Sequence, residues 1–317
     1  SSGQARTWSR TFLGHCVMSM SLNLEMLKER NCDIMSIVEA AELQMAEYAD
    51  SVNRYYSRSD LADKILAALQ DVGKDIDRLT QDDLSSFDEF HSGQLEATWR
   101  LAQMAELHEA MQVLDVGCGI GGPARTLAAE SGCRVPGIDL TEEFCHAAQV
   151  LTARLGMSDR VTFRHGNALD LPFDDESFDL VWTQSVLMNI EDKRRAFGEM
   201  RRVLRPSGRL AFSALMAGPV PNPHYPVIWA SGPDLAFLTP PDELRQLVIE
   251  SGFKEITWLE RTGAASRSKA SSGEENRPAV DFDILVDSDY QLKRANGKRN
   301  MVEKRTTFVA GVFESTE

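Results

Sequence analysis

Residues that would commit the chain to a covalent or metal framework are scarce. Only five of its 317 residues are Cys and six are His. Cys16, Cys32, Cys118, Cys133 and Cys145 contain no C-x-x-C pair, and no metal site is read among them. Disulfides need an oxidising compartment, and no secretory leader is legible, so the thiols read as reduced and the protein as cytoplasmic. No stretch approaches the roughly eighteen uncharged apolar residues of a spanning helix, which argues against a membrane span. Positive charge is also in deficit. Against 48 Asp and Glu stand 34 Lys and Arg, giving a net charge of −14, so a phosphate backbone meets repulsion and nucleic acid is disfavoured as a partner. No internal repeat is visible, and the sequence leaves a homo-oligomer open.

What is there suits a full hydrophobic core: 43% of residues are hydrophobic and 26% charged, close to globular averages. Residues 1–24 contain no acidic side chain and begin Ser1-Ser2-Gly3, which reads as a disordered terminus or cloning remnant. Residues 25–107 show helical spacing of apolar positions and form an expected helical N-terminal region, or lid. From 108 to 317, short apolar runs alternate with helical patterns, the signature of a parallel sheet flanked by helices. Strands are expected at 112–116, 134–138, 161–165, 178–183, 208–214, 255–260 and 306–313. Helices are expected at 122–130, 142–155, 193–203 and 241–250. Residues 264–305 read as an insertion, Ser-rich at first and then apolar enough over 282–294 to dock as a helix.

The chemistry is concentrated in Val113-Leu114-Asp115-Val116-Gly117-Cys118-Gly119-Ile120-Gly121-Gly122, a strand, a glycine turn and the start of a helix with Pro123 in its first turn. Glycines there let a ligand lie against the backbone. Gly117, Gly119 and Gly122 also satisfy G-x-G-x-x-G, so a nicotinamide-dependent oxidoreductase stays open on spacing alone. Asp115, two residues before the first glycine, suits a ligand ammonium better than a pyrophosphate. Asp139, twenty positions after Gly119, can accept from two ribose hydroxyls, which either ligand class possesses. Asn167 and Ala168, after the third strand, sit where an adenine edge could be read, and Gln184 occupies the equivalent ledge after the fourth.

VLDVGCGIGG, GIDLT, GNALDLPFDDESFDLVW and RVLRPSGRLAF occur in order, and over residues 88–313 the chain resembles the class I methyltransferases. Asp88-Glu89-Phe90-His91-Ser92-Gly93 with the helix after it resembles, more narrowly, the sarcosine and dimethylglycine N-methyltransferase group. The resemblance implies an α/β, Rossmann-like, seven-stranded sheet, mostly parallel with an antiparallel last strand, and helices on both faces. It implies S-adenosyl-L-methionine as cofactor and S-adenosyl-L-homocysteine as product. Asp115, Gly117, Cys118 and Gly119 would hold the methionine part, Asp139 and Leu140 the ribose and adenine, Asn167 and Ala168 the base, and Gln184 the methyl-transfer side. Where many relatives carry a His after the fourth strand, this chain has Leu187-Met188-Asn189-Ile190, which excludes a general base at Asn189.

The implied reaction is methyl transfer to a small-molecule acceptor by in-line displacement, with a small amine favoured. A hydroxyl or carbon acid would need a base, for which His91, Tyr55 and Tyr56 are the available groups. Acceptor contacts are expected from His224, Tyr225 and Trp229, in a loop framed by Pro219, Pro221, Pro223 and Pro226, where aromatic rings can bind a cation. The alternative of another class is a non-catalytic cofactor-binding or regulatory protein that keeps the fold.

Overall fold

The computed structural model describes residue 43 and residues 47–261, 280–286 and 289–316. The expected terminus at 1–24 and the Ser-rich half of the insertion lie outside these residues. Two compact units divide after Ser51, Ser1–Ser51 and Val52–Glu317. Of the first, the described residues are helical. All that follows concerns the second.

Its sheet has the strands β1 (Val113–Val116), β2 (Val135–Asp139), β3 (Val161–His165), β4 (Phe178–Gln184), β5 (Leu204–Ala217), β6 (Phe253–Arg261) and β7 (Thr306–Ser315). They lie in the order β3-β2-β1-β4-β5-β7-β6. β3, β2, β1, β4 and β5 pair in parallel, and β7 runs antiparallel to both β5 and β6. The seven strands and the one reversed strand agree with the expected fold class. β5 is longer than the expected 208–214. It pairs with β4 from Leu204 and with β7 as far as Ala217, so its ends are set by partners rather than by local composition.

Alternation along the strands loads both faces. Leu114, Val116, Val181 and Phe212 face one cluster with α6 (Lys193–Val203) and α7 (Pro241–Glu250). Val113, Leu180, Trp182 and Ala211 face the other with α3 (Gln94–Ala105) and α4 (Gly122–Ser131). A parallel sheet covered on both sides needs such double burial. Before the sheet come α1 (Leu61–Asp71) and the single turn α2 (Gln81–Leu84). Leu61, Ala62, Ile65 and Leu69 make a buried stripe on α1, which packs on Phe144, Ala147 and Leu151 of α5 (Glu142–Arg154).

One boundary in the insertion differs from expectation. In place of a helix over 282–294 there is a 3-10 turn, Phe282–Ile284, and then α8 (Tyr290–Val302). Tyr290, Lys293 and Asn300 are the buried residues of α8, and that buried set fixes its span.

Between β1 and β4 the strand order reverses direction from its start at β1. At such a switch point the carboxyl ends of the strands open a crevice, where ligands bind in sheets of this kind.

Candidate functional site

The glycine turn fills that crevice. The Gly117 and Cys118 amides both donate to the Ile138 carbonyl, at 2.7 and 3.1 Å, which ties the turn to β2. Gly117, Gly119 and Gly121 all hold positive φ, at 77°, 54° and 87°. Their surroundings differ. A Cβ on Gly117 would lie 2.1 Å from Val186 Cγ2, one on Gly121 would lie 2.4 Å from Phe163 Cζ, and one on Gly122 would lie 2.0 Å from the Asp88 carbonyl oxygen. A Cβ on Gly119 would meet no atom within 4 Å among the described residues beyond its chain neighbours. Three glycines therefore admit protein, whereas Gly119 opens on unfilled space.

Three carboxylates surround the turn, Glu89 and Asp115 buried and Asp139 half-buried. Asp139 accepts from the Gly119 amide at 2.9 Å through Oδ2 and from the Thr141 amide at 2.8 Å through Oδ1. Burial raises its pKa, with those two amides working against the rise. Glu89 accepts from Thr126 Oγ1 at 2.6 Å and from Thr98 Oγ1 at 2.8 Å, and His91 Nε2 stands 2.9 Å from it. Burial pushes Glu89 upward, but the bonds from His91, Thr126 and Thr98 prevail and hold it below its ordinary value. Asp115 is 2% exposed, and its Oδ2 has no hydrogen-bond partner among the described residues. Burial first, then the charges of Glu89 and Asp139, drive its pKa well above the usual carboxylate range. A buried oxygen without a donor is costly, so Asp115 is the group at this turn that a ligand cation would satisfy.

Behind the turn, residues 84–91 dock on the start of α4. The Asp88 carboxylate receives the fully buried Arg125 guanidinium, which also donates to Thr152 Oγ1 and the Ile120 carbonyl, both at 2.8 Å. The hydroxyl of Thr98 lies 3.1 Å from Gln184 Oε1, which also accepts from Trp182 Nε1 at 3.0 Å. His91, Glu89, Thr98 and Gln184 thus form one buried network from the pre-sheet segment to the end of β4. Glu89, Thr98, Thr126 and Arg125 were not singled out from the sequence. Glu89 stands two residues before His91, within the Asp88-Glu89-Phe90-His91-Ser92-Gly93 segment that carried the narrower resemblance.

Leu140 and Asn167 follow the ends of β2 and β3. The Leu140 carbonyl lies 3.0 Å from His165 Nε2, and Asn167 Oδ1 accepts from the Leu169 amide at 2.9 Å in a local turn. Ala168 packs against the core. Cys118 and Cys145 are buried, and burial lifts the Cys118 thiol well above its ordinary pKa.

The expected acceptor residues separate into two places. The Tyr55 hydroxyl donates to the Val227 carbonyl at 2.7 Å, and the Tyr56 hydroxyl donates to Asn189 Oδ1 at 3.0 Å. The two rings meet edge to face with centroids 5.1 Å apart. Trp229 joins them through its backbone carbonyl, and its indole Nε1 is buried without a hydrogen-bond partner among the described residues. His224 instead faces α8: its Nε2 lies 2.9 Å from Glu303, and its backbone brackets the Asn300 amide. Burial raises the pKa of Tyr225, its neighbour. A hollow of about 450 Å³ lies between Asp60–Asp63 and α5, lined in part by Glu142, His146 and His165. Among the described residues, no three His, Cys, Asp or Glu are gathered to hold a metal, and no helix is long and apolar enough to cross a membrane.

A family model described as a methyltransferase domain matches residues 114–212. Methyltransferase GfsG of Streptomyces halstedii is 35% identical over 134 residues, 42% of this chain and 48% of that protein. Glycine/sarcosine/dimethylglycine N-methyltransferase of Actinopolyspora halophila is 34% identical over 118 residues, 37% of this chain and 21% of that protein. The chain spans about half the length of the first curated relatives it matches. Geranyl diphosphate C-methyltransferase from Streptomyces coelicolor A3(2), solved with Mg2+, geranyl diphosphate and S-adenosyl-L-homocysteine, superposes with a TM-score of 0.55 at 18% identity, over 69% of this chain and 80% of that one. That likeness concerns the fold.

Proposed function

The chain carries a class I methyltransferase domain, and from that premise we propose that it moves a methyl group from S-adenosyl-L-methionine to a small-molecule acceptor. The observation that carries the reading is the unpartnered Oδ2 of Asp115 beside the open face of Gly119. A cation is called for where the cofactor would bring its ammonium, and a nicotinamide dinucleotide would bring phosphate. Asp139 retains lone pairs for ribose hydroxyls, and we assign the base contact to the Asn167–Ala168 segment after β3. When bound, the sulfonium supplies an activated methyl and leaves as a neutral thioether once the acceptor's lone pair has taken the methyl carbon. The residues of the chain then have to align the acceptor about 3 Å from that carbon and exclude water. We read residues 52–93 as the cover that does so.

The finer reading is a neutral amine acceptor. His91, Tyr55 and Tyr56 are all held in hydrogen bonds to Glu89, Val227 and Asn189, which supports an acceptor that needs no base. Curated relatives carry O-, C- and N-methyltransferase names, so the acceptor atom is the point to test. The net charge of −14 favours a small molecule over nucleic acid. The buried thiols of Cys118, Cys133 and Cys145 favour a reducing compartment, the cytoplasm.

Calorimetry should show S-adenosyl-L-homocysteine binding with a Kd on the micromolar scale, roughly −8 kcal/mol. Tight binding of NADH in its place, with none of the homocysteine ligand, would sink the reading. Asp139→Ala should weaken binding by about 1.5–3 kcal/mol, the size of lost charge-assisted bonds. Labelled cofactor offered with an amine, a thioether and a phenol then tests the acceptor class.

A pH dependence follows from Asp115. Burial and the charges of Glu89 and Asp139 disfavour its ionised form, which the ligand's ammonium would favour. Affinity should therefore rise with pH, with release of a proton read as a dependence of the binding heat on buffer ionisation. In Asp115→Asn the dependence should vanish and binding should weaken. A slope unchanged by that substitution would place the titrating group elsewhere.

A further inference from the structure

The short chain between β4 and α6 touches both halves of the site. Gln184 ends β4, Ser185 turns in the left-handed region at φ 55°, and Val186 packs on Gly117 so closely that a Cβ there would meet its Cγ2 at 2.1 Å. Three residues on, Asn189 ends a 3-10 turn and is 9% exposed. A primary amide has two N–H donors and one carbonyl oxygen. Asn189 Nδ2 donates to the Trp229 carbonyl at 2.9 Å and the Leu235 carbonyl at 2.7 Å, and Oδ1 accepts from Tyr56 at 3.0 Å. The same stretch is fastened further on: the Phe237 amide donates to the Met188 carbonyl at 2.8 Å, and the buried Lys193 Nζ donates to the Ile190 and Phe237 carbonyls, both at 2.6 Å.

We infer that Asn189 is a positioning residue that fixes the loop after β5, together with Tyr56, against the glycine turn, so that the acceptor is held in line with the methyl donor; this rests on the methyltransferase reading above. Val186 carries the connection on the cofactor side and Asn189 on the acceptor side. No side chain of equal size replaces the amide. Asp keeps the acceptor for Tyr56 but turns a carboxylate toward two carbonyl oxygens, and Leu supplies neither donor nor acceptor. In-line transfer tolerates little displacement, so a loosened loop costs turnover while the cofactor's own contacts, on the other side of Val186, persist.

The test uses the full chain and the variants Asn189→Asp, Asn189→Leu and Tyr56→Phe. Probes are S-adenosyl-L-homocysteine for binding, and N-methylglycine, dimethyl sulfide and catechol as acceptors for labelled methyl. For both Asn189 variants the homocysteine Kd should stay within about two-fold of the parent. Exchange of the amides at 227–237 should accelerate about ten-fold or more, and kcat on whichever probe the parent methylates should fall about ten- to hundred-fold with the cofactor KM unchanged. Tyr56→Phe, the milder change, should give a smaller loss of kcat with the same unchanged cofactor affinity. Loss of homocysteine affinity in step with turnover, or exchange at 227–237 equal to the parent's, overturns the inference. A parent that binds no homocysteine ligand overturns the methyltransferase reading itself, and the inference with it.

Discussion

Replacing Arg125 by Met is expected to remove about 3–5 kcal/mol of folding stability, the usual cost of leaving one member of a buried ion pair without its partner. Arg125 is fully buried, and it holds the Asp88 carboxylate, Thr152 Oγ1 and the Ile120 carbonyl together. Met fills much of the same volume, so the loss is chiefly electrostatic. Even with Arg125 present, burial lifts Asp88 to about 6 against the opposing pull of the guanidinium. The sign follows from linkage. The native state binds this proton more tightly than the unfolded chain, so the group's contribution is greatest below its unfolded value of 3.8 and declines as the pH rises from there to about 6. Without Arg125 that decline should extend to higher pH. Urea unfolding at neutral pH should show a lower midpoint at an unchanged m-value, and Asp88→Leu combined with Arg125→Met should recover much of the loss. A midpoint unmoved by Arg125→Met would mean that residues 84–91 are held to α4 by apolar packing alone.

The same pair marks where the sequence stopped being readable. The glycine turn, Asp115 and Asp139 were legible because strand, turn and helix succeed one another within a few residues, and local spacing carries the geometry. Gly122 has a different reason for being glycine, the approach of the Asp88 carbonyl from more than thirty residues away, and no local pattern records such an approach. Glu89 shows the same limit: its three partners come from 91, 98 and 126, and only the fold brings them to one carboxylate. The proline-rich loop after β5 announced an irregular segment, but its composition did not say that His224 would face Glu303 at the end of α8 while Trp229 turned toward Tyr56. Long-range pairing also sets the ends of β5 and the place of α8. Periodicity located those elements, and their partners cut them to length.

Gly119→Val is expected to weaken S-adenosyl-L-homocysteine binding by about a hundred-fold or more, some 2.7 kcal/mol, while leaving a folded protein. The four glycines of the turn make the argument comparative. At Gly117, Gly121 and Gly122 a side chain would strike Val186, Phe163 or the Asp88 backbone, so substitution there damages packing before any ligand is considered. At Gly119 a Cβ meets no atom of the described residues within 4 Å beyond its chain neighbours, and a side chain there would enter the space the ligand would use. Its backbone at φ 54° still charges a β-branched residue about 1–2 kcal/mol for the left-handed conformation, so the melting temperature should fall by a few degrees. Gly119→Ala should share most of that backbone penalty with a smaller intrusion, and so separate strain from obstruction. Because the Gly119 amide also donates to Asp139 at 2.9 Å, circular dichroism and melting have to accompany each affinity measurement. Affinity retained in a folded Gly119→Val protein would mean that the ligand does not lie on this face of the turn. An unfolded variant would assign the glycine to the turn's own conformation, and the open face at residue 119 would then no longer support a cofactor site.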